Sequence, residues 1–161
     1  MTPLTRRRLA AFRRNRRGWW SLWIFLAVLL GTAGAELLAN DRPILVRYDG
    51  QWYAPILRNY PETTFGGDFQ TWADYRDPYV AAKIAEKGWA LWPPVRFSYD
   101  TINYDRVRPH PAPPDGENWL GTDDQGRDVL ARLVYGLRLS LLFGLALTLA
   151  SAVVGIATGA V

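Results

Sequence analysis

The chain has 161 residues, 49% of them hydrophobic, no cysteine and a formal net charge of +4. About 160 residues would suit one compact soluble domain, but two uncharged stretches, residues 18–35 and 139–161, hold too much of the apolar content for that. The absence of cysteine excludes thiolate metal sites and cysteine nucleophiles, and it fits an oxidising compartment without requiring one.

Residues 1–17 carry seven arginines (Arg6, Arg7, Arg8, Arg13, Arg14, Arg16, Arg17) and no acid. Residues 41–138 carry 12 basic and 14 acidic side chains, so with Glu36 the net charge is 7 − 1 − 2 = +4 and all of the excess lies in the arm. An arginine cluster beside an apolar span holds its end in the cytoplasm. A nucleic-acid-binding arm is the rival reading, and the apolar stretch directly after the arm disfavours it.

That first apolar stretch opens on Trp19, Trp20 and Trp23, residues suited to the headgroup interface. It predicts a membrane helix over residues 18–39, with Glu36 at the far interface. Ala33-Gly34-Ala35 also has the small-x-small form of a signal-peptide cleavage site, although the stretch is long for a signal peptide.

Residues 40–118 are of another kind, holding 10 of the 11 prolines and 14 of the 22 aromatics. Aromatics supply large buried areas to a small fold, so an irregular α+β segment is expected. Asp49-Gly50, between a run from Ile44 to Tyr48 and a run from Gln51 to Ala54, predicts a hairpin with a type I′ turn. Asp77-Pro78 predicts a helix start and Gly88 its stop. Pro109, Pro111, Pro113 and Pro114 predict a stiff extended connector, with His110 solvated inside it.

From Gly121 the pattern changes. Thr122 to Gln125 has the form of a capping box, and Val129, Leu130, Leu133, Val134 and Leu137 lie on one face of the helix it would start. Asp128 and Arg132 read as an i, i+4 pair on the other side. An interfacial amphipathic helix over residues 119–137 is expected, with an ordinary core helix as the alternative and Gly136 as a bend before the second span. That span, residues 138–161, is a second membrane helix: 23 uncharged residues at about 1.5 Å each cover roughly 34 Å, against a hydrocarbon core of about 30 Å. Ser151, Gly155 and Gly159 follow a small-xxx-small spacing that suits close helix packing. The sequence ends inside this stretch without an interfacial anchor, so a piece of a longer chain is expected.

Catalytic chemistry is hard to assemble. No G-x-x-x-x-G-K-[ST] loop is present, and the single histidine cannot build a triad or a histidine zinc site. Asp123, Asp124 and Asp128 lie close together but lack the spacing of a calcium loop, and helix capping accounts for them as well. No enzyme, cofactor or metal site is expected.

Residues 119–141, WLGTDDQGRDVLARLVYGLRLSL, closely resemble the LGTD-x-x-GRD-x-L-x-R-x-x-Y-G-x-R-x-S-L signature of the second permease subunit of dipeptide and oligopeptide ABC importers. Gly121, Thr122, Asp123, Gly126, Arg127, Asp128, Arg132, Gly136 and Arg138 match its fixed positions. The long segment through Phe65-Gly66-Gly67-Asp68-Phe69 and Trp92-Pro93-Pro94 resembles the microcin C-type (Yej) branch of that family. The resemblance implies an α-helical protein of the bacterial inner membrane, roughly twice this length and with about six spans. It implies a second permease subunit, two cytoplasmic ATPase subunits and a periplasmic peptide-binding protein as partners, with ATP hydrolysis on the ATPases. The transport permease would begin in the second span, and Arg132 and Arg138 would fix the interfacial helix. The competing function is a membrane-anchored periplasmic binding or structural module, which has no need of residues 139–161. No residue can be assigned to substrate.

Overall fold

The computed structural model describes residues 3–104 and 109–160. Their chain divides into two compact units, one of them Ala35–Leu139, the other made of the residues up to Gly34 and from Ser140.

The arginine arm is helical. Helix α1 (Pro3–Arg14) ends at Asn15, whose side chain accepts from Gly18 N at 3.2 Å and so starts helix α2 (Arg16–Ala33). Such a cap satisfies one of the donors that a helix start leaves open. Phe12 packs edge-on against Trp19, and Trp19 against Trp23 one turn further on, with centroids 6.0 and 5.7 Å apart. A four-residue helix α3 (Ala35–Leu38) comes next.

In the unit Ala35–Leu139, the predicted hairpin is present. Strands β1 (Leu45–Tyr48) and β2 (Gln51–Tyr53) pair antiparallel with Tyr48 opposite Gln51. Asp49 and Gly50 both take positive φ, 48° and 75°, as a type I′ turn demands. Helix α4 (Pro78–Lys87) also starts at the predicted residue: Asp77 accepts from Tyr79 N at 2.8 Å and Pro78 takes the first turn.

Beyond α4 the chain forms a strand that the sequence pattern does not predict. Gly88 begins strand β3 (Gly88–Leu91), which pairs antiparallel with β1 and makes the order β2-β1-β3. A Cβ on Gly88 would stand 1.7 Å from the Arg47 carbonyl oxygen, so close backbone approach requires glycine there.

Alternation along β1 sends Val46 and Tyr48 into the core. They meet Val80 and Ile84, one turn apart on α4, together with Phe65 and Tyr75. Phe65 is fully buried and lies edge-on to Tyr48, Tyr53, Tyr60 and Tyr75, with centroids 5.3 to 6.3 Å away. A 3-10 turn (Glu62–Phe65) closed by left-handed Gly66 aims it inward.

A second, smaller core joins Ala39, Val95, Phe97 and Ala131. Ala131 belongs to helix α5 (Val129–Gly159), a continuous run of 31 residues. The expected helix start at Thr122 and the bend at Gly136 are both corrected: α5 begins at Val129 and passes through Gly136 unbroken. Among the described residues it is the one helix long and apolar enough to cross a membrane.

Candidate functional site

The signature residues form a tightly wound loop at the start of α5. Two glycines with positive φ shape it, Gly121 at 76° and Gly126 at 80°. Space imposes the same requirement: a Cβ on Gly121 would meet the Ala112 carbonyl oxygen at 2.4 Å, and one on Gly126 would meet His110 Nε2 at 2.7 Å. The Gly121 carbonyl accepts from Val129 N at 3.1 Å, and Thr122 and Asp128 form an isolated bridge, so the loop closes onto the helix start.

Thr122 does not cap a helix. Its hydroxyl oxygen accepts from Ala112 N at 3.0 Å and lies 2.9 Å from His110 Nδ1, while Thr122 N donates to the Ala112 carbonyl at 3.0 Å. The proline-rich stretch is therefore laid against the signature loop, with Ala112 buried and His110 packed on Gly126. The readings of a free connector and a solvated histidine are corrected. Proline fixes this stretch without leaving it bare, because the unblocked Ala112 amide still reaches a partner.

Asp123 organises the loop's charged side. Its Oδ1 accepts from Gln125 N and Arg127 N, each at 2.9 Å, and its Oδ2 accepts from Arg127 Nε at 2.9 Å and from Arg132 Nη1. Partial burial alone would raise this carboxyl's pKa. The backbone and guanidinium donors of Arg127, the Gln125 amide and Arg132 outweigh it and bring the pKa down to about 2.

Asp128 plays a different part from the one expected. It is fully buried, and its Oδ1 accepts from Ala131 N at 2.7 Å, which makes it the cap of α5. Its Oδ2 accepts from Asn118 Nδ2 at 2.7 Å, and Asn118 Oδ1 accepts from Asn103 Nδ2 at 3.0 Å. Asn103 N in turn donates to the Gly126 carbonyl at 2.9 Å. The predicted Asp128–Arg132 pair is thus corrected: Arg132 pairs with Asp123, nine residues before it, and Asp128 faces inward. A carboxylate at this point accepts only, so it sets the direction of both asparagine amides.

Further along α5, Arg138 Nη1 meets Glu36 Oε1 at 2.7 Å and its guanidinium lies 5.1 Å from the Tyr135 ring centre. Tyr135 donates from its hydroxyl to the Ala39 carbonyl at 3.0 Å. The carboxylates do not converge on a cation, and among the described residues no group of three histidine or acidic side chains is placed to hold a metal ion. Asp124 makes no part of either network. Gly136, Gly155 and Gly159 have open space where a Cβ would stand, and Ser151 is exposed.

Sequence reasoning missed Asn103, Asn118 and Glu36 as members of this region, and it gave Tyr135, a matched letter of the signature, no partner. Asp115 and Asn118 carried a faint signal, since an Asx turn joins them: Asp115 Oδ1 accepts from Asn118 N at 2.7 Å. For Asn103 and Glu36, partners 15 and 102 residues away leave no local trace. The arrangement can do one thing well, which is to fix the first turn of a long apolar helix to a folded polar core. Its hydroxyl–imidazole contact, Thr122 Oγ1 to His110 Nδ1, is partly buried and holds the proline-rich stretch in place.

The chain is 52% identical over 160 residues to the inner membrane ABC transporter permease protein YejE of Escherichia coli (strain K12), covering 99% of this chain and 47% of that protein. It is 43% identical over 186 residues to the peptidoglycan transport system permease protein YejE of Agrobacterium fabrum (strain C58 / ATCC 33970), covering 99% of this chain and 48% of that one. The oligopeptide transport system permease protein OppC of Bacillus subtilis (strain 168) is 32% identical over 74 residues, 45% of this chain and 23% of its own. No protein-family model and no solved structure matches.

Along nearly its whole length the chain is similar to permease proteins of ABC transport systems. Its likeness to the YejE proteins runs along nearly the whole chain, while the OppC likeness covers less than half. The chain spans about half the length of the YejE relatives it matches.

Proposed function

We propose that this chain is part of a permease subunit of an ABC importer for peptides, of the oligopeptide or microcin C type, in the bacterial inner membrane. The observation that carries the reading is the 52% identity to the Escherichia coli YejE permease along 99% of the chain. The apolar length of α5 and the match of the signature support it.

In this reading α5 is a membrane helix, the apolar part of α2 after its two opening arginines is a second and shorter one, residues 1–17 are cytoplasmic and residues 40–137 are periplasmic. The arginine arm beside α2 sets that orientation. The chain itself does no chemistry; hydrolysis of ATP belongs to partner subunits, and a periplasmic binding protein delivers the peptide. Alternate access would come from rocking bundles of packed helices. The signature loop's part is mechanical, since it ties the start of α5 to the polar unit through Asp123, Asp128 and Glu36–Arg138. Ser151, Gly155 and Gly159 supply a face on which another helix can pack closely.

The test is uptake of a toxic peptide by cells that carry the full-length subunit as their one permease of this kind. Uptake should restore sensitivity in step with membrane abundance. Continued resistance at normal abundance, with the partner subunits present, would refute the transport reading. Reporter fusions at Asn59 and Asn15 test the topology, and a cytoplasmic signal at Asn59 would overturn it.

A further inference from the structure

The first apolar unit carries an unusual charge problem. Residues 1–35 and 139–161 contain seven arginines and not one aspartate or glutamate. Among the described residues none of the seven makes an ion pair, and the single contact of note is Arg13, whose guanidinium lies 5.5 Å from the Trp19 ring centre. All seven are exposed. Among the described residues no carboxylate pairs with them.

Helix α1 arranges five of them. At 100° per residue, Leu4, Leu9, Ala11 and Phe12 fall within about 160° of the circumference, while Arg6, Arg7, Arg13 and Arg14 occupy the rest. Arg8 enters the apolar sector, where its methylene stem can lie along the surface with the guanidinium reaching out. Leu4, Leu9 and Phe12 are nonetheless 61%, 40% and 38% exposed, so among the described residues this apolar face is only partly covered, Phe12 by Trp19. The junction to α2 is fixed by the Asn15 cap and by Phe12 against Trp19, at the point where tryptophans mark the start of an apolar helix.

We propose that α1 is a docking helix for anionic lipid headgroups, lying in the interface next to α2 with its arginines on lipid phosphates and Leu4, Leu9 and Phe12 in the acyl boundary. An apolar face alone would suit any hydrophobic partner. The excess of five cations on the same short helix, without an acid, selects a surface that offers many phosphates at once. A tryptophan cluster directly after the helix places that surface at a bilayer. The inference goes beyond the transport reading and needs only that α2 sits in a membrane.

The absence of native cysteine lets one be introduced at a chosen site. The chain would be incorporated into nanodiscs of phosphatidylcholine alone or mixed with phosphatidylglycerol, with an environment-sensitive fluorophore at Phe12→Cys or at Ala10→Cys on the opposite side. Quenching by acrylamide, a neutral quencher, is read. The label at position 12 should be shielded in the anionic discs and open in the neutral ones, while the label at position 10 stays open in both. Changing Arg6, Arg7, Arg8, Arg13 and Arg14 to Gln should abolish the difference, each step lowering the docked-to-free ratio roughly fivefold. Equal shielding in the two lipids, or shielding untouched by the glutamine variant, overturns the proposal. So does release of the helix from anionic discs by a short DNA duplex at equal phosphate concentration, which would make nucleic acid the partner.

Discussion

Replacing Asp128 by alanine tests whether the signature loop is built on a buried acceptor. The variant removes the oxygen that caps α5 at Ala131 N and the one that accepts from Asn118 Nδ2, both at 2.7 Å from a fully buried side chain. Loss of a cap costs about 0.5–2 kcal/mol. A buried amide left without its acceptor costs about 1–3 kcal/mol more. The two share one carboxylate, so they do not add fully, and about 1–4 kcal/mol is expected. Arg132→Ala is the comparison, because it breaks a pair in which Arg132 is nearly half exposed, with at most about 1 kcal/mol at stake. Asp128→Asn separates the two losses: it keeps one oxygen for the cap but turns an amide toward Asn118, so its cost should fall between the other two. The assay is denaturant unfolding of the detergent-solubilised chain, monitored by tryptophan fluorescence. A cost for Asp128→Ala no greater than that for Arg132→Ala would refute the reasoning, because the carboxylate would then be a surface charge like any other.

Three other perturbations probe the same geometry. The pKa of Asp123 lies at about 2 in the folded state, below the ordinary value of 3.8, so its contribution to stability is complete above about pH 4 and is lost as pH falls toward 2. Acid titration of the unfolding midpoint should show that loss in the parent chain, and a flatter curve between pH 4 and 2 in Asp123→Asn; parallel curves would deny the ionic role. Gly121→Ala should destabilise more than Gly126→Ala, since its Cβ meets backbone at 2.4 Å while the other meets the His110 ring, and left-handed strain alone costs either about 1–2 kcal/mol; equal, small shifts in the same unfolding assay would contradict this. Gly155→Leu in the full-length subunit should cut recovery of the partner permease in a pull-down whereas Leu147→Ile should not, because bulk on a small-residue face separates helices; equal recovery would turn that face toward lipid.

Much of this chain could be read in one dimension because its signals are local. Asp49-Gly50 specifies its turn through two positive φ angles, and Asp77-Pro78 starts α4 through a side chain two residues from the amide it caps. The apolar run of α5 and the arginine arm are likewise properties of consecutive residues. The signature pointed to similar proteins without the fold, since likeness in sequence requires no account of what each residue touches. Where the helix begins was another matter. Thr122-Asp123-Asp124-Gln125 and Asp128 both look like caps, and local energies differ little between them; burial decided for Asp128, because Asn118 brought an amide to it from ten residues away. Tertiary contact likewise took Arg132 from the acid one turn before it and gave it to Asp123, drew His110 and Ala112 onto Thr122, and paired Glu36 with Arg138 across 102 residues. Strand β3 exists because β1 offered it an edge and Gly88 allowed the backbones to touch. Short-range geometry is written in neighbouring residues, whereas the choice among equivalent polar partners depends on which of them the folded chain removes from water.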